Sequence, residues 1–201
     1  MVGCDENIVR EYFELNGFLV RQLKKREPAT RKKRLSEERN FIVQNPALSA
    51  QAEMPGFQLF SNDVPLIFRA LVVVKGWDTT RYTPAMLRSS TQTFNFLKKE
   101  VVAQTDYSFD EEDAGLDDLQ SCLRLIILPA LPTQEIQRQE LFEMLKASGL
   151  DAVLTIRTIL ENLLRGIEPN HSYPRNDSLQ LLRLLKVYDL VKDPQMELFK
   201  K

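Results

Sequence analysis

Leu71-Val72-Val73-Val74-Lys75-Gly76-Trp77 is an apolar, β-branched run that ends on a lysine. Its composition predicts a fully buried strand. On a strand, side chains two positions apart point to one face, so Val73 and Lys75 share theirs. The pattern fixes a central strand, and the neighbouring segments assemble around it.

Upstream, Ile8, Val9, Tyr12, Phe13 and Leu15 recur at helical spacing. Asn16-Gly17 follows as a stop, which predicts a helix from about Asp5 to Leu15. Phe18-Leu19-Val20 starts a short strand. Phe41-Ile42-Val43 reads as a second strand, closed by Asn45-Pro46. The stretch from Ala47 to Asp63 has little periodicity and leads into the third strand, Ile67 to Val74.

Downstream, the pattern predicts one helix from Pro84 to Val102, with Thr83 as its cap and Pro84 in its first turn. An acidic loop spans Asp106 to Asp118. Leu123 to Leu128 is the next strand. A helix capped by Thr133 runs to Ser148, and Gly149 ends it. Ala152-Val153-Leu154 is a last short strand, and amphipathic helices follow near Thr158 to Gly166 and Ser178 to Tyr188. This order predicts an α/β fold: a mixed central sheet flanked by helices on both faces. Residues 1–154 would form that domain, and residues 155–201 a C-terminal helical extension packed on it.

The 201 residues suit one domain with such an extension, and they are enough for a core that needs no staple. The net charge of −1 gives no global argument for nucleic acid. Cys4 and Cys122 match no metal or redox spacing and read as free thiols of a reducing compartment. No signal-type segment opens the chain, and its longest apolar runs are far too short to span a bilayer. These features predict a cytoplasmic protein with no membrane partner.

The element order resembles the PD-(D/E)XK nuclease superfamily, the restriction-endonuclease-like fold, with archaeal-type Holliday junction resolvases as the nearest pattern. The resemblance covers roughly Asp5 to Leu154. It is carried by the first helix running into Asn16-Gly17-Phe18-Leu19-Val20-Arg21, by Glu38-Arg39-Asn40-Phe41-Ile42-Val43, by Val73-Val74-Lys75-Gly76, and by the later strand Leu123 to Leu128. In that family two carboxylates at adjacent strand ends hold Mg²⁺, a hard ion that takes oxygen ligands. A lysine two residues after the second carboxylate positions the attacking water and offsets developing charge.

Carried over by position, the aspartate falls on Asn40, the glutamate on Val73 and the lysine on Lys75. Glu6, about three helical turns before Gly17, matches a supporting glutamate of the first helix, with Glu11 a poorer fit. Lys75 and Glu6 are therefore the retained catalytic-type positions, and Asn40 and Val73 the vestigial ones. Asn40 can still offer an amide oxygen; Val73 offers nothing. No metal site or other cofactor is expected, and Mg²⁺ would be needed only if activity survived. Asp63, Asp78, Glu38, Glu100 and Gln92 do not stand at ligand positions.

Simpler readings exist for each residue. Lys75 can be a strand-end lysine whose ammonium snorkels to solvent. Val73 can be plain core, and Asn40 either a strand-edge residue or the scar of an aspartate. Lys24, Lys25, Arg26, Arg31, Lys32, Lys33 and Arg34 form a basic stretch suited to phosphate contacts, or a solvated loop balanced by the acidic one. Arg81 and Arg88, beside the helix start after the third strand, suit an anion. His171 is the sole histidine and reads as a surface-loop residue.

The leading expectation is a catalytically degenerate, nuclease-like protein that binds nucleic acid, with DNA as the candidate partner, or a protein. One alternative is an active Mg²⁺-dependent endonuclease with a relocated carboxylate. Another is a structural module that self-associates through its C-terminal amphipathic helices.

Overall fold

The computed structural model describes residues 4–23, 40–75, 83–102, 122–174 and 176–191. The basic stretch from Lys24 to Arg34, Arg81, Trp77, Asp78 and the acidic loop lie outside the described residues.

Among the described residues, five strands form one mixed sheet: β1 (Leu19–Gln22), β2 (Asn40–Gln44), β3 (Arg69–Val74), β4 (Leu123–Leu128) and β5 (Ala152–Thr155). They lie side by side in chain order. β1, β2 and β3 pair antiparallel, and β3, β4 and β5 pair parallel. β3 and β4 are buried along nearly all their length, as runs of Val, Ile and Leu dictate for strands covered on both faces. β1 is an edge strand with largely exposed residues, among them Arg21. A charged, short edge resists pairing with other chains. The opposite edge is covered: Leu59 N donates to Val153 O (2.9 Å) and Val153 N to Phe57 O (2.8 Å), so residues 57–59 lie along β5.

Alternation along the strands builds two cores. One face carries Phe41, Val43, Val72, Leu125, Ile127 and Leu154. Against it pack α1 (Cys4–Leu15), α5 (Ile156–Gly166) and α6 (Asp177–Val187) through Val9, Phe13, Ile159, Leu163 and Leu179. The other face carries Ile126, Leu128 and Val153. There α3 (Ser90–Glu100) and α4 (Glu135–Ala147) pack through Phe94, Leu97, Leu141 and Leu145. Each fully buried Leu, Ile or Phe contributes about 1.5–3 kcal/mol.

Local chemistry sets the element ends. Gly17 takes φ +83°, and Phe18 N reaches Phe13 O at 3.0 Å, which closes α1 and turns the chain back into β1. Gly149, at φ +79°, does the same after α4. α5 ends against α6, whose Lys186 Nζ donates to Leu164 O (2.7 Å) and Ile167 O (3.1 Å).

Two helix expectations are corrected. The predicted Pro84–Val102 helix is two: α2 (Pro84–Arg88) and α3. Ser89 is extended between them, and its hydroxyl caps α3 by accepting from Gln92 N. A hydroxyl that competes for backbone partners ends one helix and starts the next. The cap position of α4 is Gln134, not Thr133, and its side chain makes no capping bond. Instead, Gln134 N donates to Ser90 Oγ (3.0 Å), and Ser90 Oγ donates to Gln137 (2.7 Å), which ties the starts of α3 and α4 together.

Candidate functional site

Strand direction sorts the predicted residues. β1 and β3 run the same way, because each pairs antiparallel with β2. The end of β1, the start of β2 and the ends of β3, β4 and β5 therefore lie at one end of the sheet. α1 packs back over β1 after the Gly17 turn, so its first turn, with Glu6, lies at that end too. Leu23 and Asn40, which flank the basic stretch, are both at this end.

Here Asn40 stands directly opposite Val73 in the β2–β3 register. These are the two positions assigned from the sequence to paired carboxylates. Lys75 follows, its amide continuing the ladder by donating to Ile127 O at 2.9 Å. The solvent-snorkelling reading of Lys75 is not what the structure shows: its relative exposure is 5%. It is also not without a partner, as a buried ammonium requires. Val73 has no exposure at all.

Glu6 and Lys75 are carried by opposite layers. Val72 belongs to the α1 face, so by alternation Val73 and Lys75 turn to the other, where Val73 is in register with Ile126. Glu6 sits in the α1 layer. It and Lys75 share the end of the sheet but approach it from opposite layers. Glu11, the poorer candidate, is half-buried against the α6 side, where its carboxyl meets Asn176. Burial, with Glu14 nearby, pushes its pKa up.

The residues at the paired positions do not fit Mg²⁺. A valine side chain has no ligand atom, and a hard cation takes several oxygens, usually with carboxylate charge. Among the described residues no three of His, Cys, Asp or Glu converge as a metal-holding group. Asp63 is used elsewhere, its carboxylate accepting from Phe60 N at 2.8 Å.

The same end of the sheet also holds a crevice of about 860 Å³. Pro129 and Ala130 after β4, Thr155 at the end of β5 and the first turns of α5 form its base. Phe60 and Asn62, beyond the segment that covers β5, form one wall; Leu87 and Arg88 of α2 contribute to its lining. Thr155 is 8% exposed and fully engaged: its Oγ1 accepts from Thr158 N (3.2 Å) and bonds Thr158 Oγ1 (2.9 Å). Among the described residues, Arg88, Arg157 and Arg165 line the crevice against a single carboxylate, Glu161. Arg157 is ion-paired to Glu161 at 2.8 Å, so Arg88 and Arg165 carry the excess charge.

Of the sequence candidates, Arg88 is thus exposed on α2 and faces this crevice. Arg157 and Arg165 were missed; their signal is basic residues eight apart, two turns along one face of a helix that starts at a strand's carboxyl end. His171 is exposed and edge-stacks on Tyr173 at 4.8 Å, in keeping with a surface loop. On α6, Leu181, Leu184 and Val187 are exposed, as are Tyr188 and Leu190 just after it. No described helix is long and apolar enough to cross a membrane. Comparison with protein-family models, with curated proteins and with solved structures found no match.

Proposed function

We propose that this chain is a nuclease-like protein of the restriction-endonuclease-like type that has lost its metal ligands and binds nucleic acid without cutting it. The observation that carries the reading is the pairing of Asn40 with Val73 beside the buried Lys75. The two positions that the family fills with carboxylates are adjacent in space, and one of them is a fully buried valine. A valine at the second position removes the bound ion that would activate water.

Binding is supported by the basic sequence and by where its described flanking residues lie. The stretch from Lys24 to Arg34 is flanked by Leu23 and Asn40, both at the sheet end that holds Lys75. Arg88 adds a cation at the same end. Phosphate contacts of this kind carry affinity without sequence choice and weaken steeply with salt.

A gel-shift titration across salt concentrations tests this. DNA should shift at low salt. Reversing Lys24, Lys25, Lys32 and Lys33 to glutamate should abolish the shift and flatten the salt dependence. No shift at low salt removes the nucleic-acid reading and leaves a protein partner.

A further inference from the structure

The crevice at the carboxyl ends of β4 and β5 has the size and the mixed lining of a small-ligand site. In open α/β sheets the loops beyond the carboxyl ends of the parallel strands are where ligand crevices form. About 860 Å³ falls within the range of small-molecule sites. The lining is mixed in the manner of such sites. Phe60, Leu87, Leu160 and Leu164 offer apolar surface. Asn62 offers hydrogen-bonding groups on the wall beside Phe60.

The charge narrows the ligand class. Arg157 is held by Glu161, but neither Arg88 nor Arg165 forms an ion pair among the described residues. Two guanidinium groups on different elements, one closing α2 and one in the last turn of α5, line one cavity. Guanidinium forks bind phosphate with directional, charge-assisted hydrogen bonds. Apolar side chains, a hydrogen-bonding amide and two arginines on one cavity suit a nucleoside phosphate.

We infer that this crevice is a binding site for a free nucleoside 5′-phosphate, with the phosphate on Arg88 and Arg165 and the ring against Leu160 and Leu164. The inference rests on the cavity alone. It shares Arg88 with the nucleic-acid reading, and reversal of Lys24 and Lys25, which spares the crevice, tells the two apart.

Calorimetric titration of the full chain with adenosine 5′-monophosphate, adenosine and inorganic phosphate tests it. The monophosphate should bind saturably at one site and at least about tenfold tighter than either fragment. Arg88→Ala with Arg165→Ala should weaken the monophosphate at least about tenfold and leave adenosine unchanged. Ala130→Trp, which fills the cavity without touching its charges, should abolish binding of both. Lys24→Glu with Lys25→Glu should leave the monophosphate unaffected. Absence of saturable binding overturns the inference, as does monophosphate binding that is indifferent to the arginine pair and to Ala130→Trp. Melting curves of each variant show whether a loss reflects unfolding, and the charge-preserving Ala130→Trp keeps the test open if the arginine pair fails to fold.

Discussion

Asn40 on β2 and Val73 on β3 are direct partners across an antiparallel ladder, at the strand ends where the chain also places Lys75. Cross-strand partners have Cβ atoms about 4.5–5.5 Å apart, close enough for two carboxylates to share one ion. That relationship sets the two departures from the sequence pattern directly opposite each other.

Restoring acids at this pair should therefore create a metal-dependent stability. Val73→Glu buries a carboxylate where valine has no exposure, which should cost about 3 kcal/mol or more in the absence of metal. With Asn40→Asp added, Mn²⁺ should raise the melting temperature of the double variant and not that of the parent, since a ligand bound by the native state stabilises it. A double variant that melts identically with and without Mn²⁺ would contradict the assignment of these positions as a former ligand pair.

Lys75 should matter through both its stem and its charge. Lys75→Met keeps the stem, and Lys75→Ala leaves a void in a site only 5% exposed. Urea denaturation should show the alanine variant about 2 kcal/mol less stable than the parent, with methionine between them. Equal stability of all three would show that the buried stem packs against nothing.

The Thr155 cap holds α5 at the crevice base through its bonds to Thr158. Thr155→Ala should cost about 1 kcal/mol in denaturant unfolding, and Thr155→Ser only a small fraction of that. A serine variant as unstable as the alanine one would show that the hydroxyl is not the stabilising group.

Glu11 gives a pH signature. Burial raises its pKa in the folded chain above the value in the unfolded chain. The folded state then binds the proton more tightly, so the favourable contribution is present below the unfolded value and is lost as pH rises through the folded one. Glu11→Gln should therefore melt above the parent at neutral pH. The gap should close as pH falls below the ordinary glutamate range. A gap that widens in acid would reverse the sign of the coupling.

How much of this was legible from the residues follows from how each element is stabilised. β3 and β4 are covered on both faces, so full burial wrote them as unbroken Val, Ile and Leu runs. α1, α5 and α6 pack one face each and carried helical spacing. The break at Ser89 was hidden because apolar spacing continues across it, although Ser89-Ser90 held a capping signal. The segment 57–59 pairs with β5 at one bridge, too short for any period to show. Asn40 and Val73 were placed by resemblance, and their partnership came from register. The crevice was not legible, because Phe60, Arg88 and the pair Thr155 and Arg165, at the cap and last turn of α5, come from three separate parts of the chain and meet only in the fold.

The central claim is binding without cleavage at the sheet end that carries Asn40, Val73 and Lys75. The direct measurement follows a labelled branched DNA with the purified chain at low salt in Mg²⁺, reading the shift and the integrity of the strands from the same sample. The account predicts shifted, uncut DNA. Specific cut products that vanish in Lys75→Ala would contradict it.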